Sequence, residues 1–333
     1  MNGDENQIVA SETSIIAEFF APLTEGDSGA FELKDDCAVI TPEPGFDFVV
    51  TTDSLIEGVH FFAGDVPSFK ALAVNVSDLV AKGATPVCYL LNLALPEAPT
   101  RGFLKRLTAG LAQAQQTFGC HLIGGDTDRT SGLLTLTITA IGKLPKGSIV
   151  RRSGGSPGDI VAVTGTIGDA GLGLVLRKDE ALADALRSMD VECGPLLESF
   201  DKPRPNVAVA DLVGAFATAA MDVSDGLAKD AARMAATSNT GAELHIDAVP
   251  VSAAAQAGID AGLFDKLDML GSGEDYQVLL SVNPGNWKKL KAEALVRGIV
   301  INKIGVLTEG SAVIWRDSLG QPVDIAVPGW DHF

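Results

Sequence analysis

Lys143 to Gly158 carries two prolines and four glycines and divides the chain into two halves. Prolines and clustered glycines do not sit inside helices or central strands, so no continuous element crosses this stretch. On both sides of it, apolar runs of strand length alternate with runs of helical period. In the first half the pattern predicts a helix at Ser14 to Phe20, and strands at Val39-Ile40, Phe48 to Thr51, Val87 to Leu95 and Leu133 to Gly142. It predicts helices at Ser68 to Ala81 and Phe103 to Phe118, the second ending at Gly119. In the second half it predicts strands at Asp159 to Thr164, Glu274 to Val282, Ile304 to Val306 and Ala312 to Trp315. Helices are expected from the Gly-rich turn after Thr164 to about Arg177, at Val207 to Ala217, and from Asp225 to about Thr237, with residues 180–206 less regular. The expectation is an α/β or α+β protein with domains at 1–148 and 149–333, which suits a length of 333 residues.

Charge narrows the partners. Lys and Arg number 25 against 43 Asp and Glu, a net charge of −18. Nucleic acid and anionic membrane surfaces both call for a basic excess, so neither is expected. If the ligands are phosphates, divalent cations must hold them. The four cysteines stand singly, with no C-x-x-C, which suits free thiols in a reducing compartment. The polar, acidic start MNGDENQIVASE does not read as a secretory signal, and no apolar run is long enough to span a bilayer. A cytoplasmic protein is expected.

Aspartates stand at the ends of apolar strands. Asp35 and Asp36 precede Cys37-Ala38-Val39-Ile40, Asp53 follows Val49-Val50-Thr51-Thr52, Asp126 follows Leu122-Ile123-Gly124-Gly125, and Asp222 follows Ala219-Ala220-Met221. A single such residue is usually a turn or cap. Several converging on one cleft would repel unless cations lay between them, and oxygen ligands suit Mg²⁺. Asp78 shares a helix face with Asn75 at i, i+3, which fits either a ligand or a solvated face. Asp225 fits either an N-cap or a ligand. Asn75 to Ala84 also resembles Asp222 to Ala231 in six of ten positions, which either helix-start chemistry or an internal repeat would produce.

Two turns are rich in glycine. Gly165 to Gly173 follows a strand and opens a helix, a place for an anion or for tight strand–helix packing. Gly271-Ser272-Gly273-Glu274-Asp275-Tyr276 is the second. Arg151 and Arg152 lie in the boundary stretch. No G-x-x-x-x-G-K-[ST] is present, and four scattered histidines do not make a zinc site.

Taken in order, these motifs resemble the thiamine-monophosphate kinase family, of the aminoimidazole ribonucleotide synthetase and selenophosphate synthetase superfamily. The residues that carry the likeness are Asp35-Asp36-Cys37-Ala38, Thr51-Thr52-Asp53-Ser54, Gly58-Val59-His60-Phe61, Asn75-Val76-Ser77-Asp78-Leu79 and Ile123-Gly124-Gly125-Asp126-Thr127. Arg152-Ser153-Gly154, Gly165-Thr166-Ile167-Gly168-Asp169, Asp222-Val223-Ser224-Asp225-Gly226, Gly273-Glu274-Asp275-Tyr276 and Gly329-Trp330-Asp331-His332-Phe333 follow. The likeness runs from about residue 14 to the last. It implies transfer of phosphate from ATP to thiamine monophosphate with Mg²⁺, two α/β domains with nucleotide between them, and a homodimer joined through the N-terminal sheets.

The resemblance also implies roles. Asp36, Thr51, Thr52, Asp53, Asp78, Asp126 and Asp222 match magnesium ligands, with Asp225 a further one. Gly125, Asp126, Arg152 and Ser224 match nucleotide-binding positions, as does Phe118, where the family usually has tyrosine. His60, Glu274 and Trp330 match contacts to thiamine monophosphate. Asp53, Asp126 and Arg152 are expected to carry catalysis. Two departures stand out: Leu33-Lys34 precede the first aspartates where the family has Gly-x-Gly, and the Pro-x-Pro-Arg turn reads Pro203-Arg204-Pro205-Asn206. The alternatives are another ATP-using enzyme of the superfamily, or a sensor that binds thiamine phosphates without turnover. No reactive Cys near the N-terminus marks a selenophosphate synthetase, and none of the matching aspartates is missing.

Overall fold

The computed structural model describes residues 5–9, 11–327 and 329–331. Its contacts divide the chain into two units, one taking in the chain to Leu79 and Ala84–Gly147, the other Val80–Gly83 and the chain from Ser148.

In the first unit, a short helix α1 (Glu12–Ile15) continues as a π-helix over Ile16–Phe20, so the chain is helical to Phe20 as expected. Strand β1 (Phe46–Ile56) leads to helix α2 (Ser68–Ala81), strand β2 (Thr85–Leu95), helix α3 (Arg101–Phe118), and strands β3 (His121–Arg129) and β4 (Thr135–Pro145). The ends of α3 are set chemically. The Thr100 hydroxyl accepts from the Phe103 N–H at 3.1 Å, and Gly119, at φ 71°, closes the helix in the left-handed region. The sheet order is β1-β4-β2-β3, antiparallel except for β2 and β3, which α3 joins as a parallel crossover.

Register decides which residues share a face. Thr51, Ala140 and Tyr89 are paired neighbours, as are Asp53, Ile138 and Leu91. This face looks toward the helices: the Thr51 hydroxyl donates to Asp78 of α2, and the Tyr89 hydroxyl donates to Gln115 of α3. Leu72, Val76, Leu79, Leu104, Leu107 and Leu111 close the core beneath it. On the opposite face, Ala30, Cys88, Ile123 and Ile141 pack together under residues 33–40. Beyond them Phe46, Phe48 and Val50 stay exposed at 37%, 37% and 62%.

The second unit holds β5 (Ile160–Thr164), α4 (Asp169–Lys178), α5 (Glu180–Ser188), α6 (Gly194–Asp201), α7 (Val209–Phe216), β6 (Ala217–Asp222), α8 (Leu227–Thr237) and β7 (Gly241–His245). Then come α9 (Ala253–Asp260), α10 (Lys266–Leu270), β8 (Val278–Val282), α11 (Pro284–Val296), β9 (Ile301–Thr308), β10 (Val313–Arg316) and β11 (Pro322–Val323). The seven strands run β11-β10-β7-β9-β5-β8-β6, mostly antiparallel. Central β5 is buried at every position, which explains its unbroken apolar run. Val161, Val163, Met221, Leu227, Met234, Leu244 and Leu279 form the main core.

Four expectations change. Residues 180–206 hold two helices, α5 capped by Asp179, whose carboxylate accepts from the Leu182 N–H, and α6 with Pro195 in its first turn. The strand expected from Glu274 begins only at Val278, because Glu274 and Tyr276 take φ of 64° and 49° and cannot continue a ladder. Asn75–Ala84 lies mostly within α2, whereas Asp222–Ala231 spans a strand end, a loop and a helix start, so their likeness is not a structural repeat. Helix α11 had no counterpart in the sequence pattern. Among the described residues no helix is long and apolar enough to cross a membrane.

Candidate active site

In the first unit the site grows from the meeting of β1 and α2. β1 lies at a sheet edge, so the N–H groups on its outer side need partners from elsewhere. Asn75, fully buried, supplies one: its Oδ1 accepts from the Asp53 N–H at 3.0 Å, while its Nδ2 donates to the Ala71 carbonyl at 2.9 Å. That bond fixes β1 against α2. One turn on, Asp78 Oδ2 accepts from the Thr51 hydroxyl at 2.6 Å. Asp53 therefore lies beside Asp78. Asp53 stays exposed to solvent as a residue, yet the surrounding protein partly desolvates its carboxyl group, and this, then the Asp78 charge, push its pKa up to about 6. His60 closes the same region of the chain: its Nδ1 accepts from the Ile56 N–H at 3.0 Å, so the neutral ring carries its proton on Nε2.

The other expected residues of this unit lie elsewhere. Thr52 points to the opposite face, where its hydroxyl donates to the Ile138 carbonyl and accepts from Thr139. Asp126 pairs across the sheet with Asn92, in the row of Thr137 and Ser54, again the opposite face from Asp53. It is on β3, three strand spacings or roughly 14 Å from β1. Its neighbour Asp128, two residues along, is pushed above the usual carboxylate range by the Asp126 charge. The expectations did not include Asp128, although the alternation Asp126, Asp128 along a strand signals a shared face. Gly125 is required by packing, since a Cβ there would sit 1.9 Å from the Leu91 carbonyl oxygen. Asp36 is on an exposed loop, its N–H donating to Asp35. Phe118 is a core residue, 3% exposed, with its ring 5.4 Å from that of Phe69, so a nucleotide contact there is not carried forward.

In the second unit Asp222 ends β6 and is buried. The loop after it is built around a residue that the expectations did not single out. Asp230 of α8 is fully buried, and its Oδ2 accepts from the N–H groups of Ser224, Asp225 and Gly226 at 3.1, 3.1 and 3.3 Å. Asp225 is thus not the N-cap of α8; Asp230 satisfies those amides from within the helix. Asp225 instead pairs with Arg233 and, at 3.5 Å, with Lys229. The Ser224 carbonyl accepts from the Glu274 N–H at 2.8 Å, which seats Glu274 beside this loop in the left-handed region. Trp330 lies on the same loop, its N–H donating to the Asp225 carbonyl at 2.8 Å. The Arg152 side chain is exposed, and its carbonyl accepts from Thr237 and Ser238 at the end of α8. His332 and Phe333 lie outside the described residues.

The Gly165–Gly173 turn proves to be a packing device. A Cβ at Gly165, Gly168, Gly171 or Gly173 would come within 2.6 Å of Gln277, Met269, Ser272 or Leu196. The acceptor at the start of α4 is the protein's own: both oxygens of buried Asp275 lie within reach of the Gly168 N–H, at 2.8 and 3.0 Å.

Among the described residues no three or more His, Cys, Asp or Glu side chains cluster as a ready-made metal cage. The carboxylates come in pairs. Asp53 and Asp78, with the Thr51 hydroxyl, offer only oxygen, and their mutual repulsion leaves room for a cation. That fits Mg²⁺, which takes one or two carboxylates and fills its shell with water and substrate phosphate.

Comparison with known proteins gives the arrangement its family. Residues 34–144 match the N-terminal domain of AIR synthase related proteins, and residues 156–316 match the C-terminal domain. Thiamine-monophosphate kinase of Caulobacter vibrioides is 36% identical over 97% of this chain and 91% of its own length. Among solved structures, thiamine-monophosphate kinase from Stenotrophomonas maltophilia superposes with a TM-score of 0.76 at 33% identity, covering 87% of this chain and 91% of the other. AaThiL complexed with AMPPCP and TMP superposes with a TM-score of 0.74 at 29% identity, covering 88% and 89%. With both domains matched and near full-length identity above 30%, the chain belongs to the thiamine-monophosphate kinase family of AIR synthase related proteins.

Proposed function

We propose that this chain transfers the γ-phosphoryl group of ATP to thiamine monophosphate, giving thiamine diphosphate and ADP. The observation that carries the reading is the Asp53–Asp78 pair with Thr51 on β1 and α2, inside a full-length match to thiamine-monophosphate kinases. ATP is the co-substrate, in keeping with the AMPPCP complex of AaThiL.

The acceptor explains the absence of an obvious base near that pair. A phosphate monoester has a second pKa of about 6, so at neutral pH its attacking oxygen is already mostly deprotonated. His60, whose Nδ1 accepts from the Ile56 N–H, would contact thiamine monophosphate. Catalysis is then positioning and charge neutralisation. On the first unit Asp53, Asp78 and Thr51 would hold Mg²⁺, with Asp36 a further carboxylate; on the second unit Asp222 is the matching ligand. Mg²⁺, when bound, offsets the charge of the phosphates and of the carboxylates that face them. Arg152, exposed, would add positive charge at the phosphates. Ser224 would contact nucleotide, and Glu274 and Trp330 would contact thiamine monophosphate. Asp225, already paired with Lys229 and Arg233, is the weakest ligand of the matching set.

The protein works as a homodimer in this reading. Phe46, Phe48 and Val50 expose an apolar stripe on the sheet face that carries Thr52 and Asp126, and a second copy of the same sheet is its natural cover. Such pairing would also give Gly125 and Asp126, remote from Asp53 within one sheet, a site to complete on the partner. Four free thiols suit a cytoplasmic setting.

Product formation tests the reading. Mg·ATP and thiamine monophosphate are incubated with the protein and thiamine diphosphate is quantified by chromatography. Product is expected from the monophosphate and with magnesium, and none from free thiamine or without the metal. Absence of product from a folded protein that binds ATP would overturn it.

A further inference from the structure

We propose that Lys229 is a latch that seats the C-terminal tail on the substrate side of the second unit, and that it positions Trp330. This rests on the reading that Trp330 contacts thiamine monophosphate. It adds a residue that neither the motifs nor the chemistry of phosphoryl transfer points to.

The tail segment Gly329-Trp330-Asp331 has no regular structure, so what fixes it must be specific contacts. The Trp330 N–H donates to the Asp225 carbonyl at 2.8 Å. The Trp330 carbonyl accepts from Lys229 Nζ. The Asp331 carboxylate lies 3.7 Å from the same ammonium, and the Asp225 carboxylate lies 3.5 Å from it on the other side. A lysine ammonium has three N–H donors and no acceptor, and here three oxygen acceptors surround it. Gly329 allows the approach: a Cβ there would sit 2.6 Å from Lys229 Cβ and 2.7 Å from the Asp225 carbonyl oxygen. Both the N–H and the carbonyl of Trp330 are thus held, and the residue stays 55% exposed.

The platform under the latch is rigid. Lys229 is on the first turn of α8, and the loop that shares its contacts is pinned by hydrogen bonds from three backbone N–H groups to buried Asp230. Arg233, one turn further, bridges Asp225 and Asp230. The same loop carries Glu274 through the Ser224 carbonyl. Lys229 thus ties the Gly329-Trp330-Asp331 segment to the loop that positions the other substrate contact, and sets where the indole stands relative to Glu274. A flat, electron-rich indole face suits a cationic, aromatic ligand such as a thiazolium.

Two measurements on the full chain test this. In hydrogen exchange, the C-terminal peptide containing Trp330 is expected to exchange at least severalfold faster in Lys229→Met than in wild type, with the core strands unchanged. In steady-state kinetics the same variant is expected to raise KM for thiamine monophosphate roughly tenfold, the scale of a lost charged hydrogen bond. KM for ATP should stay the same and kcat should change little. Lys229→Arg, which keeps the charge, should recover part of both effects. In a Trp330→Ala background Lys229→Met should add nothing to KM, because it acts through that ring. Unchanged exchange of the tail, or a KM effect that persists in full without Trp330, overturns the latch. If wild type makes no thiamine diphosphate, the functional reading fails while the exchange comparison still decides the latch. Should Lys229→Met fold poorly, Lys229→Gln serves in both measurements.

Discussion

Asp53 has the most to lose by substitution. Its carboxylate is held beside a second one by two bonds that do not involve its own side chain: Asn75 to its backbone, and Thr51 to Asp78. A carboxylate pushed up to about 6 by partial desolvation and a like charge is a poor structural element but a good cation site. Asp53→Asn is expected to fold and to lose about 10³-fold in kcat, the scale seen when a group that stabilises transferred charge is removed. Asp126→Asn should behave the same way. Near-wild-type turnover in both, with circular dichroism unchanged, would remove these aspartates from the mechanism. At this scale much was legible, because an aspartate at the end of an apolar strand is a sharp local signal. Asp230 was not: a buried aspartate three residues into an amphipathic helix looks like any solvated one until the loop that it serves is seen. Phe118 was ambiguous in the other direction, since an aromatic at a helix end reads equally well as ligand contact and as core, and here it is buried.

At the scale of elements, α4 and the strand-like segment before β8 form a unit around Asp275. Burial, above all, lifts the Asp275 carboxyl well above the usual carboxylate range, and the Asp169 and Glu274 charges add to it. The folded protein therefore keeps this proton at pH values where the unfolded chain, titrating at roughly 3.9, has lost it. Stability from this group is fully present below that value and is lost as pH rises through the folded one. Asp275→Asn removes the titration and keeps an acceptor for the Gly168 N–H. Urea midpoints of the two proteins should therefore move apart in favour of the variant as pH rises above about 4, and parallel profiles would contradict this. Elements with a clear period, such as α2, α3 and β5, were legible in sequence. Helix α11 was not, because it buries only Leu290 and Ala294 fully and exposes Leu295 and Val296, so its pattern carries no apolar stripe. The left-handed residues Glu274 and Tyr276 were missed because nothing in their side chains demands that conformation; hydrogen bonds to Val223 and Ser224 impose it.

For the whole molecule, the two units have separate sheets: the first carries the Asp53–Asp78 pair, and the second the Asp230-braced loop with Glu274 and Trp330. Strand order was beyond the sequence, because β1-β4-β2-β3 and the seven-stranded sheet depend on long-range pairing that local periodicity does not encode. Direct phosphoryl transfer to a phosphate acceptor leaves a stoichiometric signature. In phosphorus NMR of wild-type protein with Mg·ATP and thiamine monophosphate, ADP and thiamine diphosphate are expected to appear in equal amounts, with no inorganic phosphate. Inorganic phosphate released in step with ADP, without thiamine diphosphate, would contradict it.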